Sequence, residues 1–112
     1  MTQIAQIMTP EESSKNLHLQ SLKKWIRYND VVKKILIDEW DPIGVNQHPE
    51  AQDEYDSYAP GLSKYLLNDP QWIEIFNYLW EIETERMGLQ GHRQHTEEIA
   101  KRLLMIASEL SN

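Results

Sequence analysis

The chain has 112 residues, no cysteine, 40% apolar and 26% charged residues, and a formal net charge of −7, a profile of one globular domain able to bury a core without staples. The missing cysteines exclude disulfides and thiolate chemistry, and the acidity argues against duplex nucleic acid as a ligand. No apolar run nears the roughly 20 residues needed to cross a bilayer, and residues 1–8 have neither the basic flank nor the apolar stretch of a signal peptide, so the expected compartment is the cytoplasm.

Residues 1–8 are expected to be a loosely ordered N-terminus. The first predicted helix opens at Thr9-Pro10-Glu11-Glu12. Thr9 suits a cap, Pro10 suits the first helical position, and Glu12 stands where a capping acid reaches back. Leu17, Leu22, Trp25 and Ile26 supply its apolar spacing to about Tyr28. After Asn29-Asp30, a second helix is predicted over Val31–Glu39, carried by Val31, Val32, Ile35, Leu36 and Trp40. Its β-branched residues make a strand the rival reading, and the two helices are open to being one, continuous or kinked at Asn29. Trp40 to Gln52, punctuated by Pro42, Gly44 and Pro49, reads as a long loop.

Asp53-Glu54 opens the next stretch, where Tyr55, Tyr58, Leu62, Tyr65 and Leu66 form an apolar stripe. Pro60 either kinks that helix or begins a new one. Asp69-Pro70 repeats the cap-then-proline signature, and Ile73, Phe76, Leu79, Trp80 and Glu83 carry a helix to Met87. Gly88 and Gly91 close it. The last helix spans about Arg93 to Glu109, with Ile99, Leu103, Ile106 and Leu110 inward. The predicted architecture is all-α: a compact bundle of four to five helices in a single domain, with one long loop at about 40–52.

Charge is segregated along the chain. Residues 13–34 hold six bases against one acid, and residues 38–85 hold twelve acids against Lys64 alone. Either the basic part folds against the acidic part, or the middle presents an acidic face to a basic partner.

The least generic residues are Trp40-Asp41-Pro42-Ile43-Gly44-Val45 and Asp53-Glu54-Tyr55-Asp56-Ser57-Tyr58. Together with Ile82-Glu83-Thr84-Glu85-Arg86-Met87-Gly88-Leu89 they resemble a family of small bacterial proteins of unknown function, the likeness covering Val31 to Leu89. Some relatives resemble immunity-type proteins of toxin systems. The resemblance supplies no catalytic residues.

Read physically, Asp41-Pro42 with Gly44 is a tight helix exit, with Asp41 accepting turn N–H groups and Trp40 packed beneath. The functional alternative makes Trp40, Asp41, Asp53, Glu54, Tyr55, Asp56 and Tyr58 a partner-binding surface, because tyrosines beside acids are stiff amphipathic contact groups. A metal protein or small enzyme using Asp41, Asp53, Glu54 and Asp56 is the rival class. No calcium-loop or Glu-x-x-His pattern supports it. His92, His95 and Glu98 share a helix face without a fixed further ligand, so no metal or cofactor is assigned. Gly-x-Ser-x-Gly and phosphate-loop motifs are missing, and no catalytic residue is assigned.

Lys23-Lys24-Trp25-Ile26-Arg27-Tyr28 interleaves bases with aromatics, as a nucleic-acid or membrane binder does. Trp25 and Ile26 are expected in the core with the bases in water, so neither nucleic acid nor membrane is an expected partner. The expected partner is a protein with a basic surface; a second copy of the chain is the further alternative.

Overall fold

Residues 10 to 41 contain no proline after Pro10 and no glycine, so nothing in the covalent chain obliges a helix there to stop. The computed structural model, which describes residues 10–110 and side chains from residue 19 onward, accordingly has one long helix, α1 (Pro10–Ile35), that runs without a break into a wider π turn, Leu36–Trp40. The two helices expected on either side of Asn29 are one. Asn29 is buried inside it rather than capping it, and the strand alternative for Val31–Glu39 is not realised. The cap expected at Thr9 lies outside the described residues, as do residues 1–8 and the side chains of Glu12 and Leu17.

The segment after the loop resolves in favour of a new helix. A 3₁₀ turn, Asp56–Tyr58, leads into α2 (Ala59–Leu67), with Pro60 in its first turn, where a missing N–H costs nothing. The α3 helix (Trp72–Glu81) starts two residues later than the Asp69-Pro70 signature suggests. Its cap is Gln71, whose side chain and that of Glu74 form a reciprocal capping box. Asp69 instead takes a left-handed conformation at φ 49° in the turn after α2. A second π turn, Ile82–Arg86, extends α3, and α4 runs Arg93–Leu110.

The helices alternate in direction. Tyr28 Oη–H donates to the Ala107 carbonyl at 2.9 Å and Trp40 Nε1–H to Thr96 Oγ1 at 3.2 Å, which sets α1 antiparallel to α4. Leu66 and Leu67 share a groove with Lys24 and Tyr28, so α2 descends beside α1. Tyr78 Oη–H reaches back to the Tyr58 carbonyl at 2.9 Å as α3 rises again. The result is an all-α up-down-up-down bundle, with no strand among the described residues. Its core is built from Val32, Leu36, Trp40, Leu62, Ile75, Leu79 and Leu103, each 2% exposed or less. At about 25 cal/mol per Å² of apolar surface, burying each such side chain stabilises by roughly 1.5–3 kcal/mol before entropy is charged against it.

One part of the predicted core is on the outside. Leu22 and Ile26 are 44% and 46% exposed, and Trp25 is only half-buried. Arg27 lies beside Leu110, to whose carbonyl its Nη1–H donates at 3.4 Å, so no described part of α4 stands beside the turns of α1 that carry Leu22 and Ile26. Tyr65 and Ile73, placed on apolar stripes by their spacing, are also exposed, whereas Leu62, Leu66, Ile75 and Phe76 fill the interior.

Candidate functional site

The Trp40–Tyr58 segment is built from the π turn outward. Closing α1 with an i→i+5 bond, Asp41 N–H to the Leu36 carbonyl at 2.9 Å, inserts one extra residue in the turn. That extra residue points Trp40 into the bundle and leaves Asp41 at φ 38° in the left-handed region. Aspartate tolerates this conformation better than most residues because its short side chain bonds locally. The Asp41 carboxylate accepts the Val45 N–H at 2.7 Å, the Asn46 N–H at 3.1 Å and the Tyr55 O–H at 2.7 Å. Tyr55 Oη in turn accepts the Ile43 N–H at 3.2 Å. The Tyr55 ring lies against Trp40 with centroids 5.6 Å apart, tilted by 54°. Burial pushes the Tyr55 phenol well above its ordinary value, and the adjoining Asp41 carboxylate adds to the shift.

A second polar knot lies beneath Trp40. Its indole N–H donates to Thr96 Oγ1, and the Thr96 hydroxyl donates to Glu83 Oε1 at 2.6 Å. Glu83 Oε2 accepts the His92 N–H at 2.9 Å, just ahead of α4, where an acid is favoured. His95 Nε2 faces the carbonyls of Glu39 and Trp40 at 2.9 and 3.1 Å. Both partners are acceptors, so that nitrogen carries the hydrogen. Glu83 is 3% exposed and Thr96 fully buried, so a carboxylate is held in the interior by two donors.

The seven residues of the expected partner-binding surface meet on this one segment, in two layers. Trp40 and Tyr55 are 2% and 1% exposed and face inward. Asp41 is half-buried with its oxygens engaged, and Tyr58 packs against the core. Asp56 is half-buried at the start of its 3₁₀ turn, and Asp53 and Glu54 stand in solvent. Asp53 and Glu54 are therefore outermost, with Trp40, Asp41 and Tyr55 holding the loop behind them. Neither Asp53 nor Glu54 makes an ion pair among the described residues, whereas Asp38 pairs with Lys34 at 2.6 Å and Glu39 pairs with Arg102.

Glu83 and Thr96 escaped the functional reading of the sequence, which weighs His95 only as a metal ligand. The spacing Phe76, Leu79, Glu83 puts the acid on the apolar stripe, a signal of burial, but nothing in the sequence pairs it with Thr96. His92 and His95 do not converge: His95 turns to α1 while only the backbone of His92 meets Glu83. Among the described residues no three His, Asp or Glu side chains come together in a way that would hold a metal ion. No protein-family model, curated protein or solved structure matches this chain.

Proposed function

We propose that the protein is a non-enzymatic binding module whose acidic loop docks a protein with a basic surface, in the manner of an immunity protein neutralising a toxin. The observation that carries this reading is the separation of charge along the bundle. Asp53 and Glu54 project from a loop clamped by Asp41 and Tyr55, while the exposed Lys23 and Arg27 lie at the far end of α1, with no ion pair to any described residue. Among the described residues no base of the chain pairs with Asp53 or Glu54. A preorganised loop loses little conformational freedom on docking, which favours affinity, and a one-signed patch accelerates encounter with a partner of opposite sign. Hydrogen bonds to the backbone and to Tyr55 already occupy the Asp41 carboxylate, which leaves the rival metal or acid–base reading without its central group.

The test is affinity capture from a lysate of the source cells at low salt, with D53K/E54K as the paired bait. A basic protein retained by the wild type, lost with the charge-reversed bait and released by salt supports the reading. Identical partners on both baits, or none on either, rejects it. Where a toxin gene adjoins this one, co-expression should restore growth with the wild type and not with D53K/E54K.

A further inference from the structure

Gly61, Lys64 and Tyr65 of α2 and its cap residue Asn68 recur at the three-and-four spacing that puts residues on one helix face. Glu74 and Tyr78, four apart, do the same on α3. Between the two faces lies an open cleft of 480 Å³ lined by these six residues, a volume within the usual range of small-molecule sites. Most of its lining is held in place. A Cβ at position 61 would collide with the Tyr78 hydroxyl, so glycine there lets Tyr78 lie against α2, where its O–H donates to the Tyr58 carbonyl at 2.9 Å. Tyr65, 43% exposed, stands edge-to-face on Tyr78 with centroids 5.6 Å apart and planes at 66°, so the two rings form a corner. Asn68 Nδ2–H donates to the Lys64 carbonyl at 2.8 Å, which leaves its Oδ1 as an acceptor without a partner among the described residues. Glu74 Oε2 accepts the Gln71 N–H at 3.1 Å, which fixes the carboxylate and leaves Oε1.

Lys64 and Glu74 are both exposed, and they pair neither with each other nor with any other described residue. A cation and an anion kept apart beside an aromatic corner complement a small molecule that carries both charges next to a ring. We infer that the cleft binds a free α-amino acid with an aromatic side chain: its carboxylate on Lys64, its ammonium on Glu74 and Asn68 Oδ1, and its ring in the corner of Tyr65 and Tyr78. Arg86 is near enough for its charge to act on the Tyr78 hydroxyl but lies outside the lining, where it favours the carboxylate and not the ammonium. The amino end of a peptide lacks the carboxylate and its carboxyl end lacks the ammonium, so neither satisfies both charges. Because the acceptors and the Tyr78 ring are already fixed, little ordering opposes binding. Asp53 and Glu54 do not line the cleft, so the site stands apart from the acidic loop.

The experiment is an NMR titration of the full chain, following the backbone amide signals of Gly61, Tyr65 and Asn68, with L-phenylalanine, N-acetyl-L-phenylalanine and L-phenylalaninamide. L-Phenylalanine should shift these signals saturably. Each blocked derivative, which lacks one charge, should bind about fivefold more weakly, the upper end for an exposed ion pair. Lys64→Ala should abolish the preference over the amide, and Glu74→Gln the preference over the acetyl derivative, both with an unchanged circular-dichroism spectrum; glutamine also serves in a capping box. The three ligands on wild type keep the inference testable if a variant misfolds. It is overturned if L-phenylalanine gives no saturable shift, if either blocked derivative binds as well, or if a folded variant retains the preference it should lose.

Discussion

Asp41 is the residue on which the acidic loop depends most directly, and its contribution separates into two parts. Replacing it with alanine removes an ionised acceptor from the N–H groups of Val45 and Asn46 and from the Tyr55 hydroxyl. Hydrogen bonds to charged groups contribute about 1.5–3 kcal/mol each when buried, but this loop is half-buried and water replaces part of the loss. The three together should therefore cost about 2 kcal/mol. Alanine at φ 38° adds about 1 kcal/mol of left-handed strain. The expected total for Asp41→Ala is about 3 kcal/mol, which for a domain of this size lowers Tm by roughly 12 °C. Asp41→Gly loses the same acceptors without the strain and should cost about 2 kcal/mol. Asp41→Asn keeps one acceptor oxygen and the conformational tolerance, and should cost about 1 kcal/mol. Urea unfolding followed by tryptophan fluorescence measures all three, provided the m-value is unchanged. An alanine variant within about 0.5 kcal/mol of wild type, the ordinary range for surface substitutions, would refute the clamp. Glycine as costly as alanine would refute the account of strain.

Thr96→Val should cost about 2–4 kcal/mol, because it leaves the Trp40 indole N–H and the buried Glu83 carboxylate each short of a partner; the same urea titration reads it. Gly91→Ala should destabilise by more than about 1 kcal/mol, since Gly91 sits at φ 91° and a Cβ there would lie 2.6 Å from the Trp80 ring; a changed tryptophan emission spectrum should accompany the lower Tm. Raising the pH should unfold the protein from about pH 10 upward. Burial raises the Tyr55 phenol in the folded state, so the unfolded chain ionises first and the folded chain retains more protons. Stability is then constant below the unfolded phenol's value and falls above it. Tyr55→Phe should be less stable at neutral pH yet lose less between pH 9 and 12 (roughly the phenol range), by thermal melts across that interval; an unaltered alkaline slope contradicts the assignment.

Much of this was legible in the sequence where a local rule governs the outcome. The apolar spacing of Val32, Leu36, Leu62, Leu79 and Leu103 marks helices and inward faces, and Asp41-Pro42 with Gly44 marks a tight exit with Trp40 below it. Misreadings arise where a distant element decides. Leu22 and Ile26 have core spacing, yet no described part of α4 lies beside them and they are exposed; periodicity along one helix carries no information about what packs against it. The Asp69-Pro70 signature gave way to Gln71 and Glu74 because two cap sequences lie within one turn, and the capping box satisfies two backbone groups reciprocally. In the candidate site, the chemistry of the loop was visible and its layering was not. The residue types show which side chains could cluster; the extra residue of the π turn turns Trp40 inward, and the Asp41 carboxylate and Trp40 ring hold Tyr55 there while Asp53 and Glu54 stay outside.

The two π turns have a consequence for comparing this chain with any other. Each holds one more residue than an α turn, so removing a single position inside Leu36–Trp40 or Ile82–Arg86 would let the helix re-form with ordinary bonding and rotate everything downstream by about 100°. Trp40 would swing away from Thr96, and Glu83 away from the start of α4. A relative with a plain helix here would have to be aligned with a one-residue gap inside a helix, where alignments seldom place one, and its tryptophan and glutamate would serve other ends.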